Sequence, residues 1–298
     1  MPSTDGGAAP VLRDRAAGRS PVSVLMSLYA KEAVDSLRQC LASLEDAIGE
    51  NDEIVLVEDG PVGPALHAVV QDARSRLPIR SVRLPANVGL PGALNAGLAA
   101  CSHELVARMD TDDLCLPTRF DRQVAYLDAH PRVAVVGAAV EEFDGNSDNV
   151  VAVRRPPCEP SALARYATMS SPLNQPAVMF RKSSVLEVGA YPVQFTVAFE
   201  DYFLWLRLLH AGHQLANIDD VLVRMRAGAP QANRRRGLQY ARAEVQFAIE
   251  CRRAGFFTGR QVLRFIALRV PFRFAPRRLL QVAYGKLARG GLFARLTR

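Results

Sequence analysis

Two hydrophobic rhythms alternate along residues 20–135. The runs "PVSVLMSLY", "DEIVLVEDG", "IRSVRLP" and "ELVARMD" are short, apolar and β-branched, and each ends in polar residues, the pattern of strands. Between them, "AVDSLRQCLASLEDAI" places Leu37, Leu41, Leu44 and Ile48 at helical spacing, and "PALHAVVQDARSRL" begins with Pro64, a residue tolerated in a first helical turn. Repeated strand, helix, strand predicts an α/β fold with a mostly parallel, Rossmann-like sheet covered by helices on both faces. Ligands of such sheets bind beyond the carboxyl ends of the strands. The polar residues fall at those ends: Ser27 and Tyr29, Glu58 and Asp59, Asn87, and Asp110 with Asp112.

Composition sets the limits of this picture. The 298 residues are 49% apolar, enough to bury a full core. Five widely spaced cysteines contain no C-x-x-C pair, which suggests neither a disulfide framework nor a zinc site and fits a reducing compartment. Residues 1–20 lack an apolar core and read as a flexible leader, and no run approaches the roughly 20 apolar residues that span a bilayer. A cytoplasmic location is therefore expected. Charge is divided unevenly: residues 252–298 carry eleven Arg, one Lys and no acid, so this +12 exceeds the whole chain's +7 and leaves the preceding part at about −5. The acidic part should hold the chemistry, and the basic end should meet an anionic partner.

The densest charge is in "VARMDTDDLCLP", residues 106–117. Clustered carboxylates resist ionising together, and a bound cation relieves them. In an extended segment Asp110 and Asp112 share one face and Asp113 takes the other, a clamp of the kind that holds Mg²⁺ or Mn²⁺. A solvated turn capping the helix near Pro117 fits D-x-D-D equally. In "NVGLPGALNAGL", residues 87–98, Gly89 and Gly92 allow close backbone approach before a helix N-terminus, and Asn87 or Asn95 can bond a base or ribose. Gly97 reads as a close contact of helix on sheet. Neither G-x-G-x-x-G after the first strand nor G-x-x-x-x-G-K-[ST] is present, so dinucleotide and P-loop readings lose their main support.

"SVLMSLY", "VLVEDG", "NVGLPGALNAGL" and "ARMDTDD", in this order, resemble the donor-binding half of inverting family 2 glycosyltransferases of the GT-A fold. "SPLNQPAVMFRKSSVLEVGAYP" and "FEDYFLWLRLLHAG" resemble the acceptor half of a branch that builds capsular and exopolysaccharides, including amylovoran-type sugar transferases. The resemblance implies a nucleotide-sugar donor, expected to be a UDP-hexose, and a glycan or lipid-linked acceptor. It assigns Ser27, Tyr29, Glu58 and Asp59 to the nucleotide, Asp110 to the ribose, and Asp112 to the metal, Mn²⁺ or Mg²⁺, with Asp113 as a substitute. Glu58 and Pro61 depart from the family's usual Asp-Asp-Gly-Ser. Arg108 is expected either at the diphosphate or paired with a carboxylate. Glu200 and Asp201 match the family's Glu-Asp pair, with Asp201 as the base and Glu200 orienting it; both also suit a first helical turn, where acids meet the helix dipole. Where many relatives carry a histidine ligand, this chain reads "VLVRMRAG", which offers Arg224 or Arg226 as a phosphate contact.

The expected organisation is a leader over 1–20, a catalytic domain over 21–228 with donor half 21–140 and acceptor half 141–228, and a basic helical segment over 229–298. In that segment Arg260 and Arg264, then Arg269, Arg273 and Arg277, recur at four-residue spacing among apolar residues, and Pro271 and Pro276 divide it into short helices. Such segments suit an anionic membrane surface, here the inner face, with the enzyme held peripherally through residues 252–298. The competing expectation is that they pack on the catalytic domain. Two other functions fit the sequence less well: a nucleotidyltransferase, for which no glycine-rich triphosphate loop follows the first strand, and a nucleic-acid binder, for which the acidic first part and the lack of interleaved aromatics are unsuited. No nucleic-acid partner is expected.

Overall fold

The computed structural model describes residues 18–145, 147, 149–227 and 236–274. Strands β1 (Val22–Leu28), β2 (Glu53–Glu58), β3 (Ile79–Arg83) and β4 (Leu105–Met109) occupy the four anticipated runs, with helices α1 (Val34–Glu45), α2 (Pro64–Ala73) and α3 (Leu90–Ala100) between them. They pair in parallel in the order β3-β2-β1-β4. Strand β1 is covered on both faces. Val22, Val24, Met26 and Leu28 meet Leu37, Leu41 and Leu44 of α1, while Leu25 meets Leu94 and Leu98 of α3. Burial on both faces is why the run is nearly all apolar instead of alternating.

Helix α3 lies so close to the sheet that no side chain fits at Gly97: a Cβ there would overlap Leu25 Cδ1 and stand 2.6 Å from Val57 Cγ2. Beyond β4 the sheet becomes mixed. The later elements are β5 (Leu114–Cys115), α4 (Arg119–Ala129), β6 (Val133–Phe143), β7 (Val150–Arg154), α5 (Pro160–Tyr166), β8 (Met179–Arg181), α6 (Lys182–Glu187), α7 (Glu200–His210) and β9 (Gln214–Arg226). All nine strands form one sheet, ordered β3-β2-β1-β4-β8-β6-β9-β5 with β7 on β6. Short β8 runs antiparallel to both β4 and β6, whereas β6 and β9 run parallel. The expected donor and acceptor halves thus share a sheet, and β6 itself crosses their expected boundary at residue 140.

The C-terminal elements are α8 (Gly237–Arg253), α9 (Gly259–Arg269) and a 3-10 turn at Val270–Arg273 that includes Pro271. They pack on α7 around Phe247. Its ring lies 4.6–6.4 Å from those of Phe195, Phe199, Tyr202, Phe203, Phe257 and Phe265. Two of the arginines anticipated at a lipid surface are internal instead. Fully buried Glu244 accepts from Arg269 Nε at 2.9 Å and from Arg273 Nε and Nη2 at 2.9 and 2.6 Å. Breaking such a buried ion pair typically costs about 3–5 kcal/mol. Phe265 is likewise core, leaving Leu263, 71% exposed, as the outermost apolar residue of α9. No helix among the described residues is long and apolar enough to cross a membrane. The leader to residue 17 and residues 275–298, with Pro276 and Arg277, lie outside the described residues.

Gly97→Ala should test the helix-to-sheet contact. The substitution gains up to about 1 kcal/mol of helix propensity, but the overlap with Leu25 and Val57 costs about 1–3 kcal/mol. A net loss of stability is expected as a lower urea midpoint at unchanged slope.

Candidate functional site

A cleft of about 420 Å³ opens at the carboxyl ends of β1 and β2, lined by Tyr29, Ala30, Lys31, Asp59, Gly60, Pro61 and Asn87. Asp59 shapes it. Its carboxylate accepts the Val88 N–H at 2.7 Å and its carbonyl accepts Asn87 Nδ2 at 3.3 Å, which binds the loop before α3 to the end of β2. Gly60 has φ +80°, and a Cβ there would lie 2.7 Å from Asn87 N, so the close approach requires glycine. Gly89, with φ +81°, then turns the chain into α3. Ser27 is half-buried one strand position before Leu28 and does not line this cleft.

Several anticipated contacts are redirected. Glu58 is buried beside the cleft and does not line it, because Arg83 across the β2/β3 pairing donates to it at 3.3 Å and His67 stands 3.8 Å away. Asn95 is taken up by one backbone: its Nδ2 donates to the Tyr191 carbonyl at 2.8 Å and its Oδ1 accepts the Tyr191 N–H at 2.9 Å. Arg224 faces Glu141, its register partner on β6, and donates to it at 3.1 Å. Arg226, two residues on, is the one that reaches the acidic turn.

Strand β4 stops at Met109, so the acids 110–113 form a turn and not the extended segment anticipated. The turn reverses the chain into β5, which pairs with β9. Arg108, wholly buried, pairs with Asp110 and also donates to the Met109 carbonyl. Of its two anticipated roles the carboxylate pairing is the one seen. Asp113 turns inward, where its carboxylate accepts the Arg226 N–H at 2.7 Å, and Arg226 Nε donates to the Asp112 carbonyl at 3.1 Å. Thr111 donates to Glu32 at 2.7 Å, adding another acid that sequence patterning missed. Burial, then the charges of Asp110 and Glu32, pushes the Asp112 carboxyl up to about 7. Burial, Asp110 and Asp112 drive Asp113 up as well.

This donor set suits a hard divalent ion. Its members are carboxylate oxygens, and a cation would relieve the mutual repulsion that raises Asp112. Among the described residues no group of three or more His, Cys, Asp or Glu side chains is arranged to hold a metal. One or two protein ligands with the shell completed by phosphate oxygens and water is how Mg²⁺ is usually bound.

The Glu-Asp pair opens α7 after Phe199, which adopts a left-handed conformation at φ +79°. Glu200 is buried, and Gln175 Nε2 lies 3.5 Å from its Oε1. Burial, then the charge of Asp201, pushes the Glu200 carboxyl up to about 8, while Arg108 opposes the rise. Arg108 therefore acts electrostatically on both acid clusters, which are about ninety residues apart in the chain. Phe199 and Tyr202 are buried in the aromatic cluster, and Trp205 is fully buried in the core, so none offers a platform to an acceptor.

The family model for Glycosyl transferase family 2 matches residues 23–189. The chain belongs to that family. It is 44% identical over 271 residues to the amylovoran biosynthesis glycosyltransferase AmsE of Erwinia amylovora, covering 90% of this chain and 99% of that one. It is 34% identical over 267 residues to the UDP-Gal:alpha-D-GlcNAc-diphosphoundecaprenol beta-1,3-galactosyltransferase of Escherichia coli, covering 90% and 96%. The mannosyltransferase PcManGT from Pyrobaculum calidifontis, solved with GDP-Man and Mn²⁺, superposes with a TM-score of 0.64 at 17% identity, over 94% of this chain and 84% of that one. S. aureus TarS 1-349 with UDP-GlcNAc gives 0.59 at 17% identity, over 77% and 66%. The fold is that of these glycosyltransferases, and the protein is a family 2 glycosyltransferase.

Asp112→Asn separates a cation-binding turn from a merely solvated one. A neutral amide is a poor ligand for a hard cation, so Mn²⁺ should no longer enhance the variant's affinity for uridine diphosphate. Isothermal titration with and without Mn²⁺ checks this, and undiminished enhancement would refute the assignment.

Proposed function

We propose that this glycosyltransferase moves a hexose, with inversion, from a uridine diphosphate sugar to a lipid-linked glycan during polysaccharide synthesis. The observation that carries the reading is that buried Arg108, paired with Asp110 of the acidic turn, also acts on Glu200 at the start of α7. The relatives' names point the same way, to amylovoran synthesis and to transfer of galactose from UDP-Gal to a diphosphoundecaprenol-linked sugar.

In this reading the nucleotide lies over Tyr29, Asp59 and Asn87, with Gly60 and Gly89 allowing the backbone to come near it. Asp112, supported by Asp110, would hold Mn²⁺ or Mg²⁺. The ion supplies Lewis-acid stabilisation of the diphosphate as it leaves. Asp113 keeps the turn on β9 and is not a ligand. Arg226 braces the same turn from β9, which makes it, rather than Arg224, the β9 cation placed to meet the phosphates.

The acceptor hydroxyl attacks the anomeric carbon opposite the departing diphosphate, and a carboxylate beside it takes the proton. With its carboxyl near 8, Glu200 is mostly protonated at neutral pH and is a poor base there. Asp201 is the base, and protonated Glu200 orients it or the acceptor by hydrogen bonding.

The basic C-terminal region docks the enzyme on an anionic membrane surface, where a lipid-linked acceptor is found. Arg269 and Arg273 are committed to Glu244, so docking falls to the face of α9 bearing exposed Arg260 and Leu263, with Phe274 57% exposed beyond it.

Asp201→Asn should leave donor affinity within about two-fold and reduce turnover by roughly 10²- to 10⁴-fold, the usual worth of a general base. Steady-state kinetics with donor and acceptor varied separately test this, and unchanged turnover would remove Asp201 from the role. For docking, the full chain should sediment with phosphatidylglycerol vesicles in low salt and be released in high salt. Replacing Arg260 by Glu and Leu263 by Asp together should weaken sedimentation several-fold, and equal sedimentation of both proteins would exclude that face.

A further inference from the structure

A groove of about 620 Å³ runs along the outer face of α8, in the size range of small-molecule sites. Leu238, Arg242, Val245, Ile249 and Arg253 recur on it every three or four residues, so a single face of the helix forms one wall over about 22 Å. Val270 and Phe274, in and just beyond the 3-10 turn, form the other. The opposite face of α8 is already in use, with Tyr240, Ala243, Phe247 and Cys251 buried in the aromatic cluster. A helix needs one apolar face to pack. This one carries a second, on which Leu238 is 55% and Ile249 41% exposed. Contiguous apolar surface left open in this way marks a place where something binds.

Two features bear on what the groove holds. The first is where it leads. Helices α7 and α8 lie side by side in the same direction: the ring of Tyr240, early in α8, is 5.6 Å from that of Phe199, which directly precedes Glu200. At the far ends, the ring of Phe256 is 5.2 Å from that of His210. The Leu238 end of the groove therefore lies at the same end of the helix pair as Glu200 and Asp201. The second feature is charge. Exposed Arg242 stands one turn from Leu238, while Arg253 at the other end is paired with Glu250 at 2.7 Å. An apolar wall with a guanidinium at the end nearer the acidic pair is complementary to an apolar chain with a phosphate head, the head directed toward the site of transfer.

We propose that this groove binds the hydrocarbon chain of the lipid-linked acceptor, with Arg242 at the phosphate that joins lipid to sugar. The inference rests on the lipid-linked acceptor proposed above. The sugar to be extended then reaches the Glu200–Asp201 pair, the phosphate lies over the first turns of α8, and the chain follows Val245 and Ile249 away from the site. Such contacts are the same before and during transfer. They should govern the acceptor KM and leave kcat and donor affinity unchanged.

The test uses the full chain, saturated with uridine diphosphate and Mn²⁺ so that the donor cleft is filled, and a fluorescent farnesyl diphosphate as the probe. Wild type should bind it, and Leu238→Asp with Ile249→Asp should weaken binding at least ten-fold. Both side chains are exposed, so this double variant should keep the wild-type melting temperature. Leu186→Asp, at an exposed position of α6, serves as the control and should bind like wild type. Val245→Trp, which fills the groove without adding charge, should also weaken the probe ten-fold. Arg242→Gln should weaken farnesyl diphosphate several-fold and leave farnesol unaffected. Three results would overturn the proposal: no binding by wild type, equal binding by the groove variants, or displacement of the probe by dihexanoyl phosphatidylglycerol as readily as by unlabelled farnesyl diphosphate. The last would make the groove a general lipid contact. In a transfer assay, acceptors bearing the same sugar diphosphate on a long or a two-carbon chain separate the two readings. The double variant should raise KM at least ten-fold for the long acceptor and leave the short one unchanged. If wild type transfers sugar to neither, the proposed function fails by itself, and probe binding still decides the groove. If transfer proceeds and the variants bind the probe like wild type, the groove alone fails.

Discussion

A guanidinium sealed beneath a turn of carboxylates governs this molecule. Arg108 is wholly buried, and a buried charge is tolerable only when paired and hydrogen-bonded. Asp110 and the Met109 carbonyl satisfy part of it. A second buried guanidinium, that of Arg119, donates to the Arg108 carbonyl at 2.6 Å and to Val178 at 3.3 Å, tying α4 and the segment before β8 to the same strand end. The acids above are therefore more than a solvated loop. Their charge balances a cation that cannot leave, and that cation in turn favours ionisation of Glu200 as well.

The first four strands were readable because each of their signals is local. An apolar run ending in a polar pair marks a strand end, and four such runs separated by helical spacing leave little choice of pairing. The residues that went astray depend on partners far away. Nothing near Asn95 announces that Tyr191, ninety-six positions later, will occupy its amide. Arg224 and Arg226 are equivalent in sequence, and only the β6 register, which sets Glu141 opposite Arg224, separates them. The aspartate turn was read as extended because its preceding strand is. The need to pair β5 with β9 ends that strand at Met109.

The C-terminal region shows the same limit from the side of charge. Four-residue spacing made its arginines look alike, although Arg269 and Arg273 converge on Glu244 while Arg260 lies exposed on the far side of α9. A single acid on α8, Glu244, sorts them. The aromatic side chains of α7 that flank the Glu-Asp pair face α8 and α9, so the helix bearing that pair has its opposite side buried in the C-terminal elements.

Strand β8 is three residues long, yet it is the seam of the sheet, inserted between β4 and β6 and antiparallel to both. Strand β4, which leads into the acidic turn, and the long β6–β9 pair are joined by hydrogen bonds through a segment that arrives some seventy residues after β4 in the chain. Recombination between relatives at the apparent midpoint of the sequence would therefore cut through the sheet and not between modules. Chimeras intended to exchange acceptor preference should carry β8 together with β4 and β6, and draw their new loops from the segments that follow.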